Sequence, residues 1–220
     1  MINYKIINIF NINLNTINNL YNFLINNKYQ FLILNYKNKL FVLTKEKTIL
    51  KINNKTEFIN NCKKDIYYKT NIINKKIKIN KKDLQLFNKN IKKYENILLK
   101  NKNKYIFGCI AIKSKKGFIT TIRGKQNLDE FVFVKNVDHK NNIVNTINKK
   151  ATLNAPLLDI LFANKKIKTI VHLHKFDNNL PFYSFAFAGT KKDSFRKNNN
   201  SFNIIGHGVF YLFDKNNNLI

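Results

Sequence analysis

The chain is poor in almost everything that announces a function directly. Its two cysteines, Cys62 and Cys109, lie far apart without Cys-x-x-Cys spacing. That excludes a disulfide framework and a cysteine zinc site, and fits a reducing compartment. No run of about 18 uninterrupted apolar residues exists to span a bilayer, and Met1 to Leu20 alternates Asn with Ile without the continuous apolar core of an export signal. The expectation is a soluble cytoplasmic protein, or one from the interior of a reduced endosymbiont or organelle, with no membrane partner. Arginine is nearly missing too: only Arg123 and Arg196 are present, so the formal charge of +28 is written almost wholly in lysine. Lysine lacks the planar fork with which arginine reads phosphate, so the charge by itself is weak evidence for a nucleic-acid partner.

Glycine, proline and alanine are scarce, whereas Ile, Lys, Phe, Tyr and above all Asn are in excess. The 41 asparagines are what a very AT-rich genome is expected to write into protein, and the same codon bias would account for much of the positive charge. The 44% apolar content of the 220 residues is enough for a core of ordinary size, in one large domain or two small ones.

Apolar rhythm organises the chain. Ile17, Leu20, Tyr21, Leu24 and Ile25 predict a helix over residues 15–27, and residues 29–34 and 40–44 read as strands joined by a turn. A small α+β unit of unassigned role is therefore expected over residues 1–80. Leu84, Phe87, Ile91, Tyr94, Ile97 and Leu98 predict an amphipathic helix over 81–104 that leads a second unit, 81–220. All six glycines, both prolines, all four histidines and both arginines lie beyond residue 105. The spacing there predicts a hairpin (105–112 and 118–122), a strand (131–137), a short helix (154–164) with Ala-Pro near its first turn, and strands at 169–174, 182–187 and 204–213. The fold class is α/β, a sheet with flanking helices.

His172 and His174 sit in Thr-Ile-Val-His-Leu-His, where the strand period of two places both imidazoles on one face. His207 stands between Gly206 and Gly208, where missing side chains allow a third ligand to approach. Three imidazoles around one Zn²⁺, with a fourth position open, is a common catalytic arrangement. The alternative is a pair of hydrogen-bonded strand residues with His207 filling a turn. His139, in Asp-His-Lys-Asn-Asn, is assigned to solvent without a partner.

The order of these segments over residues 105–213 resembles the class II aldolase/adducin family, which includes fuculose-phosphate aldolase, ribulose-phosphate epimerase and methylthioribulose-phosphate dehydratase. The resemblance is carried by Gly108-Cys-Ile-Ala-Ile, Gly117-Phe-Ile-Thr-Thr-Ile-Arg-Gly124, Asp129-Glu-Phe-Val-Phe-Val, Ala151-Thr-Leu-Asn-Ala-Pro, Ile170-Val-His-Leu-His174 and Ile204-Ile-Gly-His-Gly-Val. It implies that His172, His174 and His207 hold zinc or another divalent metal, which polarises a substrate carbonyl and stabilises an enediolate. It also implies a catalytic residue at the family's glutamate position, which falls on Asn154. An amide cannot take up a proton as a carboxylate does. Asp159, Asp177 and Asp193 are the nearest carboxylates in sequence to replace it. Thr121, Arg123 and Gly124 match part of the substrate-binding hairpin, with Arg123 expected to hold an anionic group; Cys109 and Ala111 replace two of the family's anion donors.

Three functions follow from this reading. The first is a divergent metal-dependent lyase, epimerase or dehydratase acting on a small sugar phosphate. The second is a catalytically inactive domain of the same fold serving in an assembly, homo-oligomeric as family members commonly are. The third is a basic RNA- or ribosome-associated protein, which the spread of the lysines favours less.

Overall fold

The computed structural model describes residues 3–10, 13–44, 49–98, 106–184, 186, 188–195, 198–205 and 207–220. Its architecture is mixed α/β, with two sheets and five helices among these residues. The smaller sheet has the order β1 (Tyr4–Asn8), β2 (Phe31–Tyr36), β3 (Lys39–Thr44), β4 (Ile49–Ile52). Strands β1 and β2 are parallel and the other pairs antiparallel. Helix α1 (Leu14–Asn26) covers one face through Tyr21, Leu24 and Ile25 against Leu32, Leu34 and Leu43. Helix α2 (Lys55–Lys63) covers the other through Ile59 and Cys62 against Phe31, Ile33 and Val42. Burial on both faces is why Phe31-Leu-Ile-Leu reads as a continuous apolar run and not as an alternation.

The larger sheet has nine strands. In spatial order they are β11 (Phe182–Tyr183), β12 (Phe202–Ile204), β13 (Gly208–Phe213), β10 (Thr169–Leu173), β6 (Cys109–Ser114), β7 (Gly117–Thr121), β8 (Phe131–Asp138), β9 (Ile143–Ile147) and β5 (Lys69–Ile73). Pairing is antiparallel except at the two edges, where β11 runs parallel to β12 and β5 parallel to β9. Strand β5 thus lies within residues 1–80 of the chain but pairs in the large sheet.

Helix α3 (Lys81–Tyr94) packs Phe87, Ile91 and Tyr94 on one face against Ile110, Ile112, Val171, Val209 and Phe213. It is pinned by Asp83, which accepts from Lys168 Nζ at 2.7 Å and from Ser114 Oγ at 2.8 Å. Helix α4 (Ala155–Phe162) packs Leu157, Leu158 and Leu161 on the opposite face, against Cys109, Ala111, Ile170, Phe202, Phe210 and Leu212. The fifth helix, α5 (Lys191–Ser194), is a single turn beside α4. No helix among the described residues is long and apolar enough to cross a membrane.

Two sequence expectations change in the structure. The α3 helix stops at Tyr94, and residues 99–105 of the expected helix and following strand lie outside the described set, as do Phe185, Phe187, Arg196 and Gly206. The expected strand over 204–213 is two antiparallel strands, β12 and β13, joined by a tight turn with His207 in it.

The asparagine excess does structural work that glycine and serine usually do. Asn13, Asn54 and Asn80 cap α1, α2 and α3 by accepting the N–H of Thr16, Glu57 and Lys82 at 2.8, 3.0 and 2.9 Å. Asn38, Asn142, Asn148 and Asn217 adopt left-handed backbone, with φ between 56° and 66°. Asparagine tolerates that conformation better than other side chains bearing a Cβ. Asn80→Ala removes the cap of the helix covering the back of the large sheet. It is expected to lower stability by about 1 kcal/mol, read as a shift of the urea midpoint with an unchanged m-value.

Candidate metal centre

Strand β10 lies in the interior of the large sheet and all five of its residues are buried. Alternation sends Val171 and Leu173 to the α3 face and His172 to the α4 face, where its register partners are Cys109 on β6 and Phe210 on β13. The His172 ring is fully buried, stacks on Phe210 at 4.2 Å between centroids, and places Nδ1 3.0 Å from the carbonyl oxygen of Val209. A carbonyl only accepts, so Nδ1 carries the hydrogen and the lone pair is on Nε2. Nε2 is buried and has no hydrogen-bond partner. Burial, with the neighbouring His207 and His174 rings, holds the His172 pKa well below the ordinary histidine value, so the ring is neutral.

His207 reaches the same place from the β12–β13 turn. Its N–H donates to Ile204 O at 3.0 Å, which fixes the turn. Gly208 has φ of +119°, and a side chain there would collide with the Leu173 carbonyl, so the turn can lie against β10 only with glycine at this position. Nδ1 of His207 stands 3.3 Å from Oδ1 of Asp193, so here too Nδ1 is the donor and Nε2 is left buried without a partner. Asp193 belongs to α5, whose first turn is held by Thr190 Oγ1 accepting from Asp193 N at 3.2 Å. The second carboxylate oxygen, Oδ2, is buried without a partner.

His174 follows β10 directly, is half-buried, and stacks on Phe107 at 5.4 Å. The centroids of the three rings are 4.6 Å apart for His172–His207, 4.9 Å for His172–His174 and 6.4 Å for His174–His207. Imidazoles bound to one tetrahedral ion at about 2.0–2.1 Å have centroids roughly 5 Å apart. Two of the three separations are close to that value and the third is wider. As the rings stand, no three His, Cys, Asp or Glu side chains among the described residues are placed to hold a metal; closure on an ion would require His174 and His207 to approach each other.

The other sequence candidates divide. Asn154 is buried at the start of α4, where its Nδ2 donates to Cys109 Sγ at 3.6 Å and its Oδ1 has no partner. Because Cys109 pairs in register with His172, the amide is one side chain removed from the histidines. Thr121 is buried with its hydroxyl unpartnered, and its carbonyl accepts from Thr152 N at 3.2 Å, so the end of β7 lies beside the Asn154 segment. Arg123 and Gly124 are exposed in the turn after β7, and nothing lies within 4 Å of the position a Cβ on Gly124 would take. Of the three carboxylates, Asp193 belongs to the histidine cluster; Asp177 accepts from Tyr211 OH at 3.0 Å and Asp159 pairs with His139.

His139, expected to face solvent without a partner, does neither. Its Nε2 lies 3.0 Å from Asp159 Oδ2 and its Nδ1 2.7 Å from Tyr68 OH, which in turn lies 3.2 Å from Ser194 Oγ. The partners stand 71 and 20 residues away in sequence, beyond the reach of local pattern reading. Also unanticipated is Lys125, which is 4% exposed and donates Nζ to Gly108 O at 2.5 Å. Burial pulls its pKa down from 10.5 to about 8. With 38 lysines in the chain, composition could not single it out; its place after Gly124 and before the buried Leu128 was the available signal.

Lys125 gives the protein a pH signature. Below about pH 8 the ammonium is charged in both folded and unfolded chains; between about 8 and 10.5 the folded chain has released a proton that the unfolded chain still holds. Stability therefore rises with pH across that window, by on the order of 3 kcal/mol. Denaturation of the wild type and Lys125→Met across this window should show the rise in the first and its loss in the second. No family model and no curated protein matches the chain.

Proposed function

We propose that the chain is a divergent metal-binding protein similar to the class II aldolases. Its metal would be zinc or another divalent ion at His172, His174 and His207, and it would act as a lyase, epimerase or dehydratase on a small sugar phosphate. One observation carries the reading. His172 Nε2, His207 Nε2, Asp193 Oδ2 and Asn154 Oδ1 are four buried acceptor atoms without a donor; the first three belong to the histidine cluster, and Asn154 stands one side chain away, against Cys109. A buried acceptor left unmade costs about 1–3 kcal/mol each, and four together ask for a cation or a donor-rich ligand. Both anchored imidazoles also present the tautomer a metal requires, with Nδ1–H committed to a carbonyl or carboxylate and Nε2 free.

When bound, such an ion supplies Lewis acidity toward a substrate carbonyl. The protein's own residues do the rest. Asp193 orients His207 through Oδ1, and its Oδ2 is the nearest carboxylate available to accept a substrate proton, the task Asn154 cannot perform. Asn154 and Thr121 offer an amide and a hydroxyl for substrate oxygens. Arg123, exposed and without an ion pair to a described residue, is free to meet a phosphate.

Metal content measured by plasma mass spectrometry tests this first: near-stoichiometric zinc or another divalent ion in the wild type, and none in the His172→Ala/His174→Ala variant. Asp193→Asn should weaken metal affinity by about 10–100-fold, as loss of an outer-shell carboxylate does, and abolish turnover in a screen of phosphorylated ketoses and aldoses. A metal-free wild type that cannot be loaded, with the double variant equally well folded, contradicts the reading.

A further inference from the structure

The amine of Lys125 is buried beside the histidine cluster without a counter-ion. Its side chain runs inward from a surface turn, since Gly124 before it and Gln126 after it are exposed. Its one hydrogen bond goes to the carbonyl of Gly108. Gly108 precedes Cys109, the register partner of His172, and has φ of +88°; a side chain there would collide with the His172 carbonyl. The amine is thus anchored at the start of β6, where the backbone of Gly108 lies against that of His172. Its charge is felt by both Cys109 and His172. The ion pairs among the described residues are His139–Asp159, Lys149–Glu130, Lys168–Asp83 and His207–Asp193, and none involves Lys125.

A buried ammonium with no carboxylate is costly, and a lysine in that position responds by giving up its proton. A salt bridge would have been the structural solution, and the chain uses it elsewhere: Lys168 is paired with Asp83 at 2.7 Å. At Lys125 the acid is missing, and a desolvated lysine of this kind is the standard activated amine nucleophile. With a pKa of about 8, roughly one Lys125 amine in ten is neutral at pH 7, against roughly one in a few thousand for a surface lysine at about 10.4.

We propose that Lys125 is a carbonyl-capturing residue that forms an imine with small aldehydes or ketones reaching the histidine cluster. Nζ adds to the carbonyl carbon and the carbonyl oxygen takes up the proton that the nitrogen releases. The carbon–oxygen bond of the carbinolamine then breaks, the oxygen leaves as water with the second proton released by the nitrogen, and a carbon–nitrogen double bond remains. No oxidant or reductant is consumed. The capture stands whether or not the three imidazoles hold a metal, and it gives the chain a covalent route to carbonyl substrates separate from Lewis acidity.

The test is reductive trapping of the full chain with glycolaldehyde and cyanoborohydride near neutral pH, before and after treatment with a chelator. Intact mass counts the adducts and peptide mapping locates them. The proposal predicts one fast adduct on Lys125 in both samples, absent from Lys125→Met and Lys125→Arg. Removing a buried unpaired charge favours the fold, so the Met variant is expected to remain native, which its circular dichroism verifies. Adducts spread over exposed lysines with Lys125 no faster than they are, or a native chain with no adduct at Lys125, would overturn it. Because the labelling does not need metal, its failure is distinguishable from failure of the metal site.

Discussion

The hydrogen bond from His172 Nδ1 to the Val209 carbonyl is the constraint on which the candidate site rests. It fixes the tautomer of a fully buried ring in an interior strand of a nine-stranded sheet, and so leaves a lone pair on Nε2 where no donor meets it. Everything nearby is consistent with keeping that ring neutral and in place. Phe210 stacks on it, Cys109 sits opposite it, and two further imidazoles lie within 5 Å of it between ring centroids. A fully buried imidazole with one nitrogen left without a partner is unfavourable for folding alone.

The surrounding fold supplies rigidity to match. Helices α3 and α4 clamp opposite faces of the strands that carry His172, and Asp83 ties α3 to both β6 and the approach to β10 through Ser114 and Lys168. The third histidine arrives on a turn that only Gly208 allows, and its orienting carboxylate arrives on a single helical turn. That turn is tied from the other side by Ser194 to Tyr68, and through Tyr68 to His139 and Asp159. Four distant segments therefore meet around α5, so the position of Asp193 depends on the whole domain and not on local sequence.

How much of this could be read from the residues depended on range. The His-x-His pair was legible because strand periodicity is local, and α1, β2, β3 and β8 followed from apolar rhythm in the same way. His207 was placed in a strand because Ile204-Ile and Val209-Phe flank it with apolar residues; the reversal between them is a matter of pairing that only β10 and β12 decide. His139 looked solvent-facing because its neighbours are Asp, Lys and Asn, while its partners come from β5's approach and α4. Lys125 was hidden by composition, one buried amine among 38 lysines. The asparagine excess likewise concealed a structural role: asparagine takes over helix caps and left-handed turns in a chain with six glycines.

The central claim is that His172 and His207 present Nε2 lone pairs toward a shared cation. Long-range nitrogen–proton correlation spectra of the imidazoles, recorded with and without zinc, address it most directly. Expected are Nδ1–H tautomers for His172 and His207 in the metal-free chain, with Nε2 resonances of those two rings and the imidazole resonances of His174 moving together and saturating at one equivalent of zinc. An Nε2–H tautomer at His172, or imidazole resonances unmoved by zinc, would contradict it.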